Sequence, residues 1–215
     1  MPVALAGCND ALSVVAPAGP AAQTIATLWW VMLAGSGLIC VLVAGLLWAA
    51  FRPRGATDEA RQERLWIHGL GLAFPLSILA ALLAYGLWVG ERLLPRAGAD
   101  VVRVSAAGER WSWSFGYADA DGRVTEGVLH IPAGRPVDVA VTTRDVIHSF
   151  WVPRLAGKLD AIPGHVNVLR LEADRPGVYA GLSAEYSGVG YAGHRFEVHA
   201  HDAAAWDAFL RGERP

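Results

Sequence analysis

The sequence predicts a two-helix membrane hairpin followed by an all-β domain, a sandwich or barrel, that closes on a short helix. Three observations carry this. Residues 25–51 and 65–90 are long apolar runs in a chain of 215 residues of which 53% are hydrophobic. Beyond residue 91 apolar residues fall into short alternating runs separated by turn signals. At the end, Asp202 stands where a helix N-cap would, ahead of Trp206, Phe209 and Leu210 on one helical face.

Residues 1–24 form an extracytoplasmic N-terminal segment. Leu5-Ala6-Gly7-Cys8 resembles the bacterial lipobox, in which a signal peptidase cuts before a lipid-modified cysteine, so Cys8 is a candidate lipidation site. The Pro/Gly/Ala-rich residues 16–22 read as an extended lead-in. The first span, residues 25–51, carries no charge. Trp29 and Trp48 bracket it at about 28 Å of helix, the spacing of an aromatic belt. Residues 52–64 hold four arginines and place this connector in the cytoplasm. In the second span, residues 65–90, Trp66 and Trp88 bracket about 33 Å of helix, and Pro75 predicts a kink. His68 lies one turn inside its cytoplasmic end, where an ionisable group invites a functional hypothesis.

The β-domain, residues 91–215, is predicted to contain strands over 101–105, 111–117, 127–131, 137–143, 166–173, 178–183 and 195–200. Asp121-Gly122, Pro163-Gly164 and Pro176-Gly177 supply turns between them. With a net charge of −2, nothing marks a nucleic-acid binder. The only cysteines are Cys8 and Cys40, so a disulfide framework is not expected, and any metal site in the C-terminal half must use nitrogen and oxygen ligands.

Specific motifs sharpen the reading. Gly108 to Tyr117 (GERWSWSFGY) resembles the aromatic strand of subunit II of haem–copper oxidases. Val146-Ile147-His148-Ser149-Phe150-Trp151-Val152-Pro153 is similar to the segment that carries the family's first copper-ligand histidine. Gly157-Lys158-Leu159-Asp160-Ala161-Ile162-Pro163-Gly164 is similar to the loop after it, and Ser183 to Phe196 corresponds to the copper-binding loop. The resemblance covers nearly the whole chain, in order. It implies a cupredoxin-like sandwich docked on subunit I in the bacterial inner membrane, on the periplasmic side. It also implies haems and copper in subunit I, contact with membrane lipid, and subunits III and IV as further partners.

In cytochrome c oxidases this loop reads Cys-x-Glu-x-Cys-x-x-x-His-x-x-Met and holds the dinuclear copper A centre. Here Ser183 and Ser187 stand at the cysteine positions, Tyr191 at the second histidine and His194 at the methionine; His148 and Glu185 match. A protonated serine hydroxyl is a poor substitute for a bridging thiolate, so copper A is not expected. Such a subunit resembles the cytochrome bo-type quinol oxidase branch. The resemblance therefore implies a structural, non-catalytic subunit of a complex in which quinol and O₂ give quinone and water with proton pumping, the quinol being handled by subunit I. From residue 96 onward fifteen acids face thirteen bases, no acidic surplus to steer a basic cytochrome c.

Glu185 matches a family carboxylate that helps bind a Mg²⁺ shared with subunit I. His68 falls where the family has a glutamate at a proton-path entrance. His148, His194 and Glu185, if they converge, offer a mononuclear Cu²⁺ or Zn²⁺ site in place of a vestigial pocket. Trp111 and Trp113 read as an aromatic strand packing the domain on subunit I. An oxidase that uses cytochrome c while bypassing copper A, and a free-standing membrane-anchored cupredoxin-like protein, are the alternatives.

Overall fold

A computed structural model describes residues 11–52, 59–95, 98 and 100–213. Cys8 lies outside them. The chain divides into two compact units: a helical one, Trp29–Leu93, and a β unit that includes the residues up to Leu28 and those from Leu94 onward.

Helix α1 spans Pro20–Ala50. It starts earlier than the apolar run suggested, because proline suits the first helical position, where its missing N–H is not needed. The lead-in packs on the β unit instead of standing free. Ala18 N donates to Arg154 O at 2.7 Å, Asp174 N donates to Ala18 O at 2.9 Å, and Arg154 Nε donates to Ala16 O at 2.8 Å.

The second span comprises α2 (Glu59–Glu63), a π-wound stretch Arg64–Ala73, and α3 (Phe74–Leu93). Pro75 cannot donate to the carbonyl four residues back, and the helix wound to the i→i+5 pattern ahead of it meets that gap; Phe74 N–H donates to Gly69 O. His68 sits on this π-wound stretch and is exposed. Both spans are long and apolar enough to cross a membrane. Arg52 lies over the Trp48 ring at 3.7 Å and Arg92 over Trp88 at 3.6 Å, so each span ends in an arginine–aromatic pair suited to a headgroup layer.

The β unit is a sandwich of two five-stranded sheets. The first has the order β3 (Arg123–Glu126), β2 (Ser112–Tyr117), β1 (Val102–Glu109), β5 (Val137–Thr143), β8 (Asn167–Leu171). The second runs β4 (Val128–Pro132), β10 (Arg195–His201), β9 (Gly177–Ser183), β6 (His148–Trp151), β7 (Leu159–Ala161). β1 pairs parallel to β5 and β10 parallel to β4; the remaining ladders are antiparallel. Strict alternation along β2 and β5 sends Trp113, Phe115, Tyr117, Val137, Val139 and Val141 into the core. Three strands escaped the sequence reading: β3, β6 and β7. They are three or four residues long, too short to show a period. Trp111, expected at the start of a strand, belongs to the turn before β2.

Helix α4 (Ala203–Leu210) begins as expected at Asp202, whose Oδ1 accepts from Ala205 N at 2.8 Å. Its buried Phe209 stacks on His130 at 4.5 Å between ring centres. His130 Nδ1 and His201 Nε2 are 2.8 Å apart, bonded across the β4–β10 edge. Burial first, then the neighbouring His201, His199 and Arg123, push His130 down to about 4.

Candidate functional site

The site is built where the two sheets close, from the end of β1, the start of β2, the turn before β6, and the loop that joins β9 to β10. His148 opens β6 and His194 directly precedes β10; both are fully buried. Their ring centres are 5.0 Å apart, with planes at 83°. Of the three side chains whose convergence was considered from sequence, these two histidines lie side by side. Trp113 lies against both, stacked on His194 at 5.6 Å and edge-on to His148 at 6.2 Å. Gly108 at the end of β1 leaves room for this: a Cβ there would stand 3.2 Å from His148 Cδ2 and 3.2 Å from Trp113 Cη2.

Each histidine has one ring nitrogen held. His148 Nε2 is 2.9 Å from Asp145 Oδ1. Asp145 also accepts from Arg110 N at 3.1 Å and lies 3.1 Å from Thr143 Oγ1. Desolvation alone would raise the Asp145 carboxyl, but the hydrogen bonds from His148, the Val146 and Arg110 backbone and Thr143 outweigh it and hold it at about 2. The carboxylate is therefore ionised, so the proton of that pair resides on His148 Nε2. On the other ring, His194 Nδ1 is 2.8 Å from Ser183 Oγ, which also accepts from Trp113 Nε1 at 3.1 Å. Burial lowers the His194 pKa and His148 adds to this. The Ser112 backbone and Asp145 pull the other way, although Nε2 completes no hydrogen bond.

Asp145 was missed by sequence reasoning. Its signal is the Thr143-x-Asp145 turn three residues before His148, which looks like ordinary turn chemistry until the histidine folds back on it.

The other loop residues do not join the pair. Glu185 is a surface residue whose Oε2 lies 3.7 Å from Lys158 Nζ, and the same ammonium is 3.9 Å from Asp160 Oδ1. Glu185 thus stands apart from His148 and His194, and the three-ligand convergence considered from sequence is not formed. Tyr191, in a 3₁₀ turn with Ala192 and Gly193, packs edge-on to Tyr186 at 5.3 Å. Ser187 is buried and its Oγ has no partner. Gly190, at φ 112°, lets the loop lie against Trp111, which remains 40% exposed. Among the described residues, no three His, Cys, Asp or Glu side chains are placed to hold a metal.

Two helices of membrane-spanning length precede a cupredoxin-like sandwich. Residues 120–199 match the family described as cytochrome c oxidase subunit II, periplasmic domain. The chain is 30% identical to the cytochrome c oxidase subunit 2 of Alkalihalophilus pseudofirmus, aligned over 97% of this chain and 64% of that protein. It is 29% identical to the quinol oxidase subunit 2 of Bacillus cereus, over 96% of this chain and 75% of that one. The periplasmic domain of the Bradyrhizobium japonicum cytochrome oxidase subunit II superposes with a TM-score of 0.51 at 24% identity, covering 55% of this chain and 94% of that structure, and shares the fold. Residues 120–199 thus carry a cytochrome c oxidase subunit II periplasmic domain, and the chain as a whole is similar to subunit II of haem–copper oxidases. It spans 64% of the length of the Alkalihalophilus pseudofirmus relative.

The family's copper A centre does not fit the residues present. Two hydroxyls replace the bridging thiolates, and Ser183 Oγ is already engaged by Trp113 and His194.

Proposed function

We propose that this chain is the subunit II of a terminal quinol oxidase in the bacterial inner membrane, a structural subunit that carries no copper A centre. Its partner is subunit I, where haems and copper reduce O₂ to water with electrons from quinol. The observation that carries this is the replacement of both thiolates by Ser183 and Ser187, with Ser183 built into an internal hydrogen-bond network. A soluble cytochrome c delivers electrons from outside and needs a surface relay. Quinol dissolves in the bilayer and can reach subunit I directly, so the relay is dispensable while the sandwich still serves assembly. Relatives carry both oxidase names, and the loop chemistry is what favours the quinol reading here.

Oxygen uptake by the purified complex tests the reading. Quinol is expected to sustain turnover and reduced cytochrome c is not; the reverse result overturns it.

Two residues take subordinate roles in this reading. Glu185 contributes to a Mg²⁺ held with subunit I, in competition with the Lys158 ammonium that already neutralises it. His68, exposed on the π-wound stretch, stands at a proton entrance. Mg²⁺ content of the complex with Glu185→Ala, and proton pumping with His68→Ala, are both expected to fall; unchanged values remove the respective role.

A further inference from the structure

We propose that the His130–His201 pair is an acid-released latch: protonation of the pair frees helix α4 from the sandwich while the two sheets stay folded. The oxidase reading makes no use of this cluster, and the latch does not depend on which electron donor the complex takes.

The latch lies on one face of the β4–β10 ladder, where His130 stands directly across from His199 and beside His201. His130 Nδ1 and His201 Nε2 are 2.8 Å apart. A hydrogen bond between two imidazoles needs one N–H and one lone pair, whichever ring donates. The pair can take a first proton on an outer nitrogen with this bond intact. A second proton sets two N–H groups head to head and breaks it. The backbone ladder that keeps His130 in β4 is indifferent to either event.

Helix α4 covers the pair. Its Phe209 stacks on His130 at 4.5 Å between ring centres and lies nearly parallel to His201 at 6.2 Å. Trp206 and Phe209 are the buried residues of α4, and a helix of eight residues does not persist in water without such docking. What loosens the floor under Phe209 therefore loosens the whole helix.

The surroundings leave an added charge poorly compensated. From β3, Arg123 donates to Phe209 O at 2.8 Å, with its guanidinium 4.7 Å from the Phe209 ring. From β2, the Tyr117 hydroxyl accepts from His130 N at 2.6 Å. On β10, the Glu197 carboxylate is taken by His199 Nε2 at 2.8 Å. Asp202 favours a proton on His201, but its Oδ1 also caps α4 through Ala205 N. Asp207 and Arg211 of α4 are exposed. Burial first, then the neighbouring histidines and Arg123, accordingly hold His130 at about 4, and burial and His199 keep His201 below its ordinary value. With α4 away, His130 returns toward its ordinary 6.5. Docking is thus undiminished above pH 6.5 and weakens as pH falls toward 4.

Hydrogen exchange read by mass spectrometry on the full-length chain in detergent tests this, each rate being corrected for the intrinsic effect of pH. Amides of residues 205–211 are expected to lose protection about 10-fold or more between pH 7 and 5, reversibly, while those of β2 and β5 keep theirs. His130→Phe keeps a ring under Phe209 and takes no proton, so the fall is expected to vanish. His165→Gln, remote from α4 and paired with Asn167, is expected to behave as the wild type. Protection of α4 that stays flat over this range, that falls together with β2 and β5, or that falls equally in His130→Phe overturns the proposal, as does a fall abolished by His165→Gln. The wild-type profile separates a latch from unfolding of the whole sandwich even if a variant fails to fold.

Discussion

Trp113→Ala is expected to remove about 3–5 kcal/mol from the stability of the β unit, the usual cost of deleting a buried tryptophan from a core. Trp113 is fully buried and contacts Phe150 at 5.4 Å and Phe196 at 5.7 Å besides the two histidines. The deletion opens a cavity at the point where the two sheets meet. It also takes away the N–H that Ser183 Oγ accepts, in a pocket that already holds unpaired polar atoms. Small domains are stable by only about 5–15 kcal/mol, so the variant is close to unfolding at ambient temperature. Trp113→Phe retains most of the ring volume and loses the N–H, and a smaller loss of about 1–3 kcal/mol is expected. Denaturant midpoints of the three proteins measure both. Equal and small losses in the two variants contradict the packing and hydrogen bond described.

Acidification is expected to weaken the β unit in two stages. The first concerns His130, whose folded pKa of about 4 lies below its ordinary 6.5. The unfolded chain then binds the proton more readily, so stability is undiminished above pH 6.5 and falls as pH drops toward 4. His201 and His194, also lowered mainly by burial, act in the same direction. The second stage concerns Asp145, held at about 2 against an ordinary 3.8. Its contribution is complete above the unfolded value and disappears as pH falls from about 4 through 2. Each stage is worth roughly 1–2 kcal/mol once solvent around these half-covered groups is allowed for. Unfolding free energies at pH 7, 5 and 3 check this. His130→Phe is expected to flatten the first interval and Asp145→Asn the second; a His130→Phe profile that still falls between pH 6.5 and 4 by the full amount contradicts the first assignment.

The anchor helices were legible because burial in lipid requires apolar residues all round, and an unbroken run of them is visible in one dimension. The strands that were legible, such as β2 and β5, alternate for six or seven residues. β6 was not legible as a strand because His148, Ser149 and Phe150 are all buried, with β9 and β7 on its two edges, and such a strand has no alternation to read. The winding before Pro75 was anticipated only as a disturbance. A missing N–H is a local fact, but how the turns redistribute around it is not.

The site divides in the same way. The covalent identity of the donors was readable directly: with serines at 183 and 187 and no cysteine after Cys40, the loop and the strands around it hold no thiolate to bridge a copper pair. That is a property of the side chains alone and needs no coordinates. The meeting of His148 with His194, the exclusion of Glu185 by its pairing with Lys158, and the capture of His148 by Asp145 belong to the tertiary structure. His148 and His194 are distant in sequence and meet only because β9 pairs with both β6 and β10, bringing the β9–β10 loop over the first residue of β6. Long-range pairing of this kind is set by the summed burial of the whole sandwich, which no short motif contains, and it decides what the remaining ligands can do.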